Sequence, residues 1–203
     1  MAYVRGHPGD FDKWAELGAD GWHYDALLPY FRKSEDLTPS NEIMVDGDAH
    51  GSGGPLTVSV RSPVIPAACD FVTAAEASGI PPGDYNGRHR TNPNGVASLF
   101  QTTTRRGMRA STYHAFLEGP AEERPNLTII AGAHVTRILF NDEAGGLVAS
   151  GIEYRTNDGA TKSVEAAKEV ILSAGAVGSP QILMLSGVGP RRELEAADVV
   201  CQH

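Results

Sequence analysis

The residues most able to do chemistry lie together near the end of the chain, in Ser173-Ala-Gly-Ala-Val-Gly-Ser-Pro-Gln-Ile-Leu-Met-Leu-Ser-Gly-Val-Gly189. Gly175 and Gly178 permit a tight turn and close backbone approach. Ser179 suits a helix N-cap and Pro180 the first helical position, so the spacing predicts strand, glycine turn and helix, with Gly187 as the stop. A helix start of this kind presents backbone N–H groups at the positive end of its dipole, where a phosphate or the edge of a flavin could rest. An ordinary strand–helix junction satisfies the same spacing, and geometry alone favours that plainer alternative.

Other candidate groups point to less. His7, His23, His50, His89, His114 and His134 never fall at HExxH or i, i+4 ligand spacing, so no metal site is expected and loop or surface hydrogen bonding is their default role. Asp10, Asp12 and Glu16 read as a solvated helix start favoured by the dipole. Ser111 lacks a GxSxG elbow, which removes support for a hydrolase. Cys69 and Cys201 form neither a CxxC pair nor a disulfide framework, which favours a reducing compartment. The 17 Lys and Arg against 25 Asp and Glu leave a net charge of −8, the wrong balance for neutralising nucleic-acid phosphates. A hydrophobic share of 41% is ordinary for a soluble globular protein, so a real core is expected. The N-terminus shows no secretory signal. The uncharged run from Val170 to Gly189 is long enough to span a bilayer, but its glycines, serines and Pro180 fit a buried strand, turn and helix better.

These residues must be held by elements that the pattern also predicts. Pro8 opens a helix in which Phe11, Trp14 and Leu17 share a face, and Gly18 closes it. A second helix covers about Tyr24 to Lys33, with Pro29 as a kink or break. Glycine-rich turns at 46–54 lead into an alternating strand, Leu56–Val58–Val60. Pro66 opens a helix that carries Ala67, Phe71, Ala74 and Ala75 and stops at Gly79. Residues 81–94 read as a long loop, of the kind often used for function or partners. Strands are predicted at Leu127–Ile130, Val135–Phe140, Val148–Tyr154 and Ser163–Ala166 as an antiparallel meander, then at Lys168–Ser173 as a strand covered on both faces.

The segment from Gly175 to Gly189 closely resembles the second signature of the glucose–methanol–choline (GMC) oxidoreductases, Gly-Ala-x-x-Ser-Pro-x-x-Leu-x-x-x-Ser-Gly-Val-Gly. Tyr3-Val-Arg-Gly6, Asp12-x-Trp14, Gly21-Trp22, Leu28-Pro-Tyr-Phe31, His50-Gly-x-Gly-Gly-Pro-Leu56, Arg109-Ala-Ser-Thr112 with Phe116-Leu117, and Arg124-Pro-Asn-Leu-Thr128 resemble further blocks of that family, in order and over nearly the whole chain.

The resemblance implies an α+β or α/β chain: a partial FAD-binding, Rossmann-like domain with part of an antiparallel-sheet substrate domain. The expected division is a linking helical and loop segment at 1–55, partial substrate domain at 56–120 and partial FAD-binding domain at 121–203. It implies FAD as cofactor, with Val135 offering its backbone to the adenine, Met1 and Ala2 beside the flavin, and Ala174 and Gly175 near the dinucleotide. The implied reaction oxidises a small-molecule alcohol to an aldehyde or ketone, hydride passing to flavin N5 while a histidine outside this chain takes the hydroxyl proton. No residue here is expected to be catalytic. No Gly-x-Gly-x-x-Gly turn is found near the N-terminus, so the chain is expected to lack N- and C-terminal portions of the family fold and to be inactive alone. A hydroxynitrile lyase of the same fold and an inert binding remnant are the rival expectations. The electron acceptor is not assigned; the expected location is cytoplasmic or peripheral to a membrane, with no membrane span and no nucleic-acid partner.

Overall fold

Pro8 and the acidic residues after it start α1 (Pro8–Glu16). His7 caps it: its ring accepts the Gly9 N–H at 3.1 Å, and the Asp10 carboxylate accepts the His7 N–H at 2.9 Å, a reciprocal capping box. Gly18, at φ 104°, carries the chain away from the helix end. In α2 (Tyr24–Ser34), Tyr24 and Leu28 bury against Phe11, with Leu27 and Phe31 alongside. The predicted apolar face of α1 therefore narrows to Phe11, since Leu17 is 75% exposed. Pro29 does not break α2, which runs through it; packing of Tyr24 and Leu28 before it and Phe31 after it offsets the one backbone donor that proline lacks. This chain is described at every position except 39, 42, 61, 89–94, 144 and 203 of the computed structural model.

Helix α2 runs directly into β1 (Glu35–Leu37), which pairs in parallel with β2 (Leu56–Val60). The alternation predicted for β2 holds, with Val58 and Val60 buried. On its other side β2 pairs antiparallel with β3 (Gln101–Thr102). α3 (Pro66–Ala77) begins at Pro66 and ends before Gly79, as the sequence predicts. A short hairpin of β4 (Thr104–Arg105) and β5 (Met108–Arg109), the helix α4 (Thr112–Phe116) and a single 3-10 turn at Gly119–Ala121 follow within one compact unit, Met1–Leu127.

The second unit, Thr128–His203, is built on the meander β6 (Ala133–Glu143), β7 (Gly146–Thr156) and β8 (Thr161–Glu165). Two expected strands are absent. Leu127–Ile130 and Lys168–Ser173 enter no ladder, and Ile171 is 78% exposed. Their β-branched, apolar composition fits a pleated surface, but a strand also needs a partner for its backbone groups, which composition cannot specify. The β6–β7 register slips twice. Thr136 is passed over between Val135↔Tyr154 and Arg137↔Glu153, and Ser150 is passed over between Leu139↔Gly151 and Phe140↔Ala149. The hydroxyl of Thr136 donates to the Glu153 carbonyl at 3.2 Å and carboxylate at 2.8 Å, so the extra residue is tied down.

The crossover after β8 is present with a corrected boundary. α5 (Gly175–Leu185) starts at Gly175, with Ala174 as its cap residue, so Ser179 is not the N-cap and Pro180 lies inside the helix. Gly175 sits at φ 85°, a conformation that costs glycine no steric penalty and lets the chain turn into the helix early. Ser179 instead reaches back, accepting the Ala174 N–H at 3.0 Å. At the far end, Ser186 accepts the Ile138 N–H of β6 at 2.8 Å and donates to Ile182 O at 2.6 Å, fastening helix to sheet. Gly187, at φ 84°, ends the helix as predicted, and α6 (Arg191–Ala196) follows with Leu194 fully buried. Mixed helices and small sheets make the chain α+β, as expected. Among the described residues, no helix is long and apolar enough to cross a membrane.

Candidate functional site

Val135 and Ala174, far apart in sequence, line one cleft of about 540 Å³ in the second unit. Its walls are apolar at Ile138, Ile152, Leu172 and Ile182. β6 is the outer strand of the β6–β7–β8 sheet, so half of its peptide groups point away from β7. Apart from the Ile138 N–H, which Ser186 takes, such groups can pair with a hydrogen-bonding ligand edge without any help from the Val135 side chain. Beside Ala174, Gly175 opens α5, whose first turn leaves backbone N–H groups without helical acceptors. Ala174, Gly175 and Ala176 are small and exposed, so no bulky side chain shields those donors. An apolar slot with a strand edge on one side and a helix start on the other fits a nucleotide, whose flat base wants the former and whose phosphate wants the latter.

Met1 and Ala2, the other predicted cofactor contacts, belong to the first unit. Ala2 forms a β-bridge with Thr102, and Met1 O accepts the Thr103 N–H at 2.9 Å. Both side chains are exposed. What anchors this segment is a buried polar network that the sequence does not announce. The Arg5 guanidinium donates to the Glu35 carboxylate at 2.6 Å and to Ala49 O, with both charged side chains essentially excluded from solvent. His50 bridges two acids: Nδ1 lies 2.9 Å from Glu35 Oε1 and Nε2 lies 2.7 Å from Asp84 Oδ2. Asp84 also accepts from the Gln101 amide at 3.0 Å and the Asn86 N–H at 2.9 Å. Asn86 donates to Gln101 Oε1 at 2.6 Å and Tyr3 O at 2.8 Å, and accepts the Arg5 N–H at 2.9 Å.

His50 is a hydrogen-bonding loop histidine, as the default role has it, but a buried one, 6% exposed between two acids. Burial alone would lower its pKa, but the hydrogen bonds to Asp84 and Glu35 outweigh that and hold it up at about 9. Burial would raise the Asp84 carboxyl; the bonds from His50 and from the Asp46 and Asn86 amides outweigh it and hold it below the usual range. Of the remaining histidines, His7 caps α1, His23 stands at the N-cap of α2, His114 meets Ser111 at 2.7 Å at the start of α4, and His134 is exposed on β6. His89 lies outside the described residues. The Ser111–His114 pair is exposed, and among the described residues no carboxylate hydrogen-bonds His114 to orient its ring, so the pair does not form a hydrolytic triad there.

The raised His50 pKa sets a pH dependence of stability. The folded value exceeds the ordinary 6.5, so its contribution is complete below about pH 6.5 and is lost as pH rises through 9. Denaturant unfolding is expected to show stability declining from pH 6.5 to 9.5 by on the order of 2 kcal/mol. A His50→Gln chain should show little of that decline.

Only the motif around His50 and the Arg5 in Tyr3-Val-Arg-Gly6 carried any sequence signal for this network. Glu35, Asp84, Asn86 and Gln101 are isolated polar residues with no spacing rule to join them.

Comparison with known proteins matches residues 1–201 to the family model described as GMC oxidoreductase. The chain is 39% identical to glucose dehydrogenase [FAD, quinone] of Drosophila melanogaster, covering 100% of this chain and 31% of that protein. It is 40% identical to the oxygen-dependent choline dehydrogenase of Pseudomonas putida, covering 100% of this chain and 34% of that one. Among solved structures, an FAD-dependent oxidoreductase from Chaetomium thermophilum superposes with a TM-score of 0.87 at 32% identity, over 99% of this chain and 35% of the other. Pyridoxine 4-oxidase from Mesorbium loti gives 0.78 at 32% identity, over 99% and 37%. The chain therefore spans about a third of the length of the relatives it matches.

Proposed function

Because this chain belongs to the GMC oxidoreductase family, we propose that it supplies part of the FAD-holding body of an enzyme that oxidises the CH–OH group of a small alcohol to an aldehyde or ketone. The observation that carries this reading is the meeting of Val135 and Ala174 on one nucleotide-sized cleft, with Gly175 opening a helix beside it. FAD, when bound, supplies the hydride acceptor; the protein supplies binding and orientation.

In this reading the outer edge of β6 at Val135 pairs with the adenine edge. The Ala174–Gly175 turn lets main-chain N–H groups approach the dinucleotide, where the helix dipole favours its negative charge. Met1 and Ala2, pinned to Thr102 and Thr103, lie beside the flavin. The apolar walls of the cleft exclude water from the base. No side chain of this chain is assigned to move the substrate's proton, and the chain alone is proposed to be inactive.

Two measurements test the proposal on the whole flavoprotein. Anaerobic addition of an aliphatic alcohol is expected to bleach the visible flavin band; an oxidised spectrum that persists across a panel of alcohols would overturn the redox reading in favour of a lyase. Gly175→Val forces a β-branched residue to φ 85° and covers the helix start, so FAD should bind at least roughly tenfold more weakly. Equal affinity would remove the α5 start from the cofactor site.

A further inference from the structure

We infer that His50 is the positioning residue that holds the Met1–Arg5 segment in place for the cofactor, acting as a protonated bridge between Glu35 and Asp84. The inference deepens the functional reading above and rests on its placement of Met1 and Ala2.

Two independent routes of bonds run from the one imidazole to Arg5. Through Glu35, the ring reaches the Arg5 guanidinium. Through Asp84, it reaches the Gln101 amide, which bonds Asn86, which in turn holds the Arg5 N–H and the Tyr3 carbonyl. Both routes act on backbone that is also held by Tyr3 N–H to Gln101 O at 2.8 Å, Thr103 N–H to Met1 O at 2.9 Å and the Tyr85 hydroxyl to Tyr3 O at 2.8 Å. Gln101 is itself the residue whose carbonyl receives Tyr3, so a shift of its side chain is passed to the strand that Ala2 bridges.

The bridge requires the proton on geometric grounds. A neutral imidazole has one N–H and cannot donate to both carboxylates. Losing the proton therefore leaves one buried acid without its partner. The charge count agrees: Arg5 and His50 against Glu35 and Asp84 balance only with an imidazolium, in surroundings where an uncompensated charge is costly. Other titratable groups lie around this core. On the His50 turn, the Asp46 carboxylate is engaged by the N–H groups of Asp48 and Arg88. Burial pushes the hydroxyl of Tyr3 up and that of Tyr85 to about 12. Between pH 8 and about 10 the group that changes charge in the network is thus His50.

The test is amide hydrogen exchange on the full 203-residue chain, wild type beside His50→Gln, which keeps the size but cannot donate at both ends. In the variant, protection of the Tyr3 and Arg5 amides is expected to fall at least roughly tenfold, while that of Ile138 in the second unit stays unchanged. Unchanged protection at Tyr3 and Arg5 overturns the inference. Should the variant fail to fold, the wild type decides: after correction for intrinsic rates, the same protection should fall with the titration of His50 followed by its ring nitrogen shifts. A profile that is flat through that titration, or a ring that is neutral at pH 7, overturns it. Flavin fluorescence quenching separates this from the functional reading. FAD uptake should weaken with the same substitution and pH profile. Exchange that responds while FAD uptake does not overturns the cofactor role of Met1–Arg5 but leaves the cleft at Val135 standing.

Discussion

Arg5→Met is expected to destabilise the first unit by about 3–5 kcal/mol, enough to populate the unfolded state of many domains. The guanidinium is buried with Glu35, and methionine keeps most of the stem while removing the charge. Glu35 would keep only His50 as a cationic partner beside the Gly51 N–H, and the Ala49 carbonyl would lose its donor. The loss comes mainly from stranding a buried carboxylate rather than from forfeiting an attraction, which gives a sharper check. A double variant, Arg5→Met with Glu35→Gln, should be markedly more stable than the sum of the two single losses. Urea unfolding of the four chains, at a pH below 7 where His50 is charged, measures the difference. Additive losses would mean that the two side chains do not act as a pair.

The second large effect belongs to the glycine turn that carries His50. Gly51→Ala is expected to cost about 3 kcal/mol or more, because a Cβ there would lie against the carbonyl of Arg32 and 2.7 Å from its carbonyl carbon. The obstacle is helix backbone, which cannot rotate aside like a side chain. Gly54 faces the same limit, its Cβ falling 2.5 Å from both Glu35 O and Ser34 C. Gly53 is the internal control: it has open space around it and only a positive φ of 77°, so Gly53→Ala should cost about 1–2 kcal/mol. Denaturation midpoints for the three alanine variants should fall in that order, with Gly53→Ala nearest wild type. This close approach is what lets Gly51 O accept the Leu37 N–H and Gly54 N–H reach Glu35 O, so the turn and β1 lock together.

Local physics was readable in the sequence where it is self-contained. Pro8 and Gly18 bracket α1, Pro66 and Gly79 bracket α3, and the alternation of Leu56–Val60 gives β2, because caps, turns and pleats are decided within a few residues. Non-local decisions were not readable. Ser179 and Pro180 look like a helix start, yet Gly175 starts α5 earlier, since positive φ at a glycine and a side chain reaching back to Ala174 satisfy the same backbone differently. Lys168–Ser173 has a strand's composition without a strand's partner. The buried network is the clearest case. Nothing within ten residues of Glu35, Asp84 or Gln101 foretells that they converge on one imidazole, because long-range polar pairing leaves no periodicity. The family resemblance points to Val135 and Ala174, and only the fold explains how an outer strand and a helix start come to share a cleft.

The two slips in the β6–β7 hairpin mark where its length can change. Thr136 in one strand and Ser150 in the other stand outside the ladder, so removing either one leaves every pair opposite its partner and straightens the strand at that point. Losing Ile138 is different: closing the gap draws Thr136 opposite Glu153 and Arg137 opposite Ile152, which turns Arg137 onto the face that Ile138 buries. Changes in strand length should therefore settle at the two unpaired positions, which act as spare links in the hairpin.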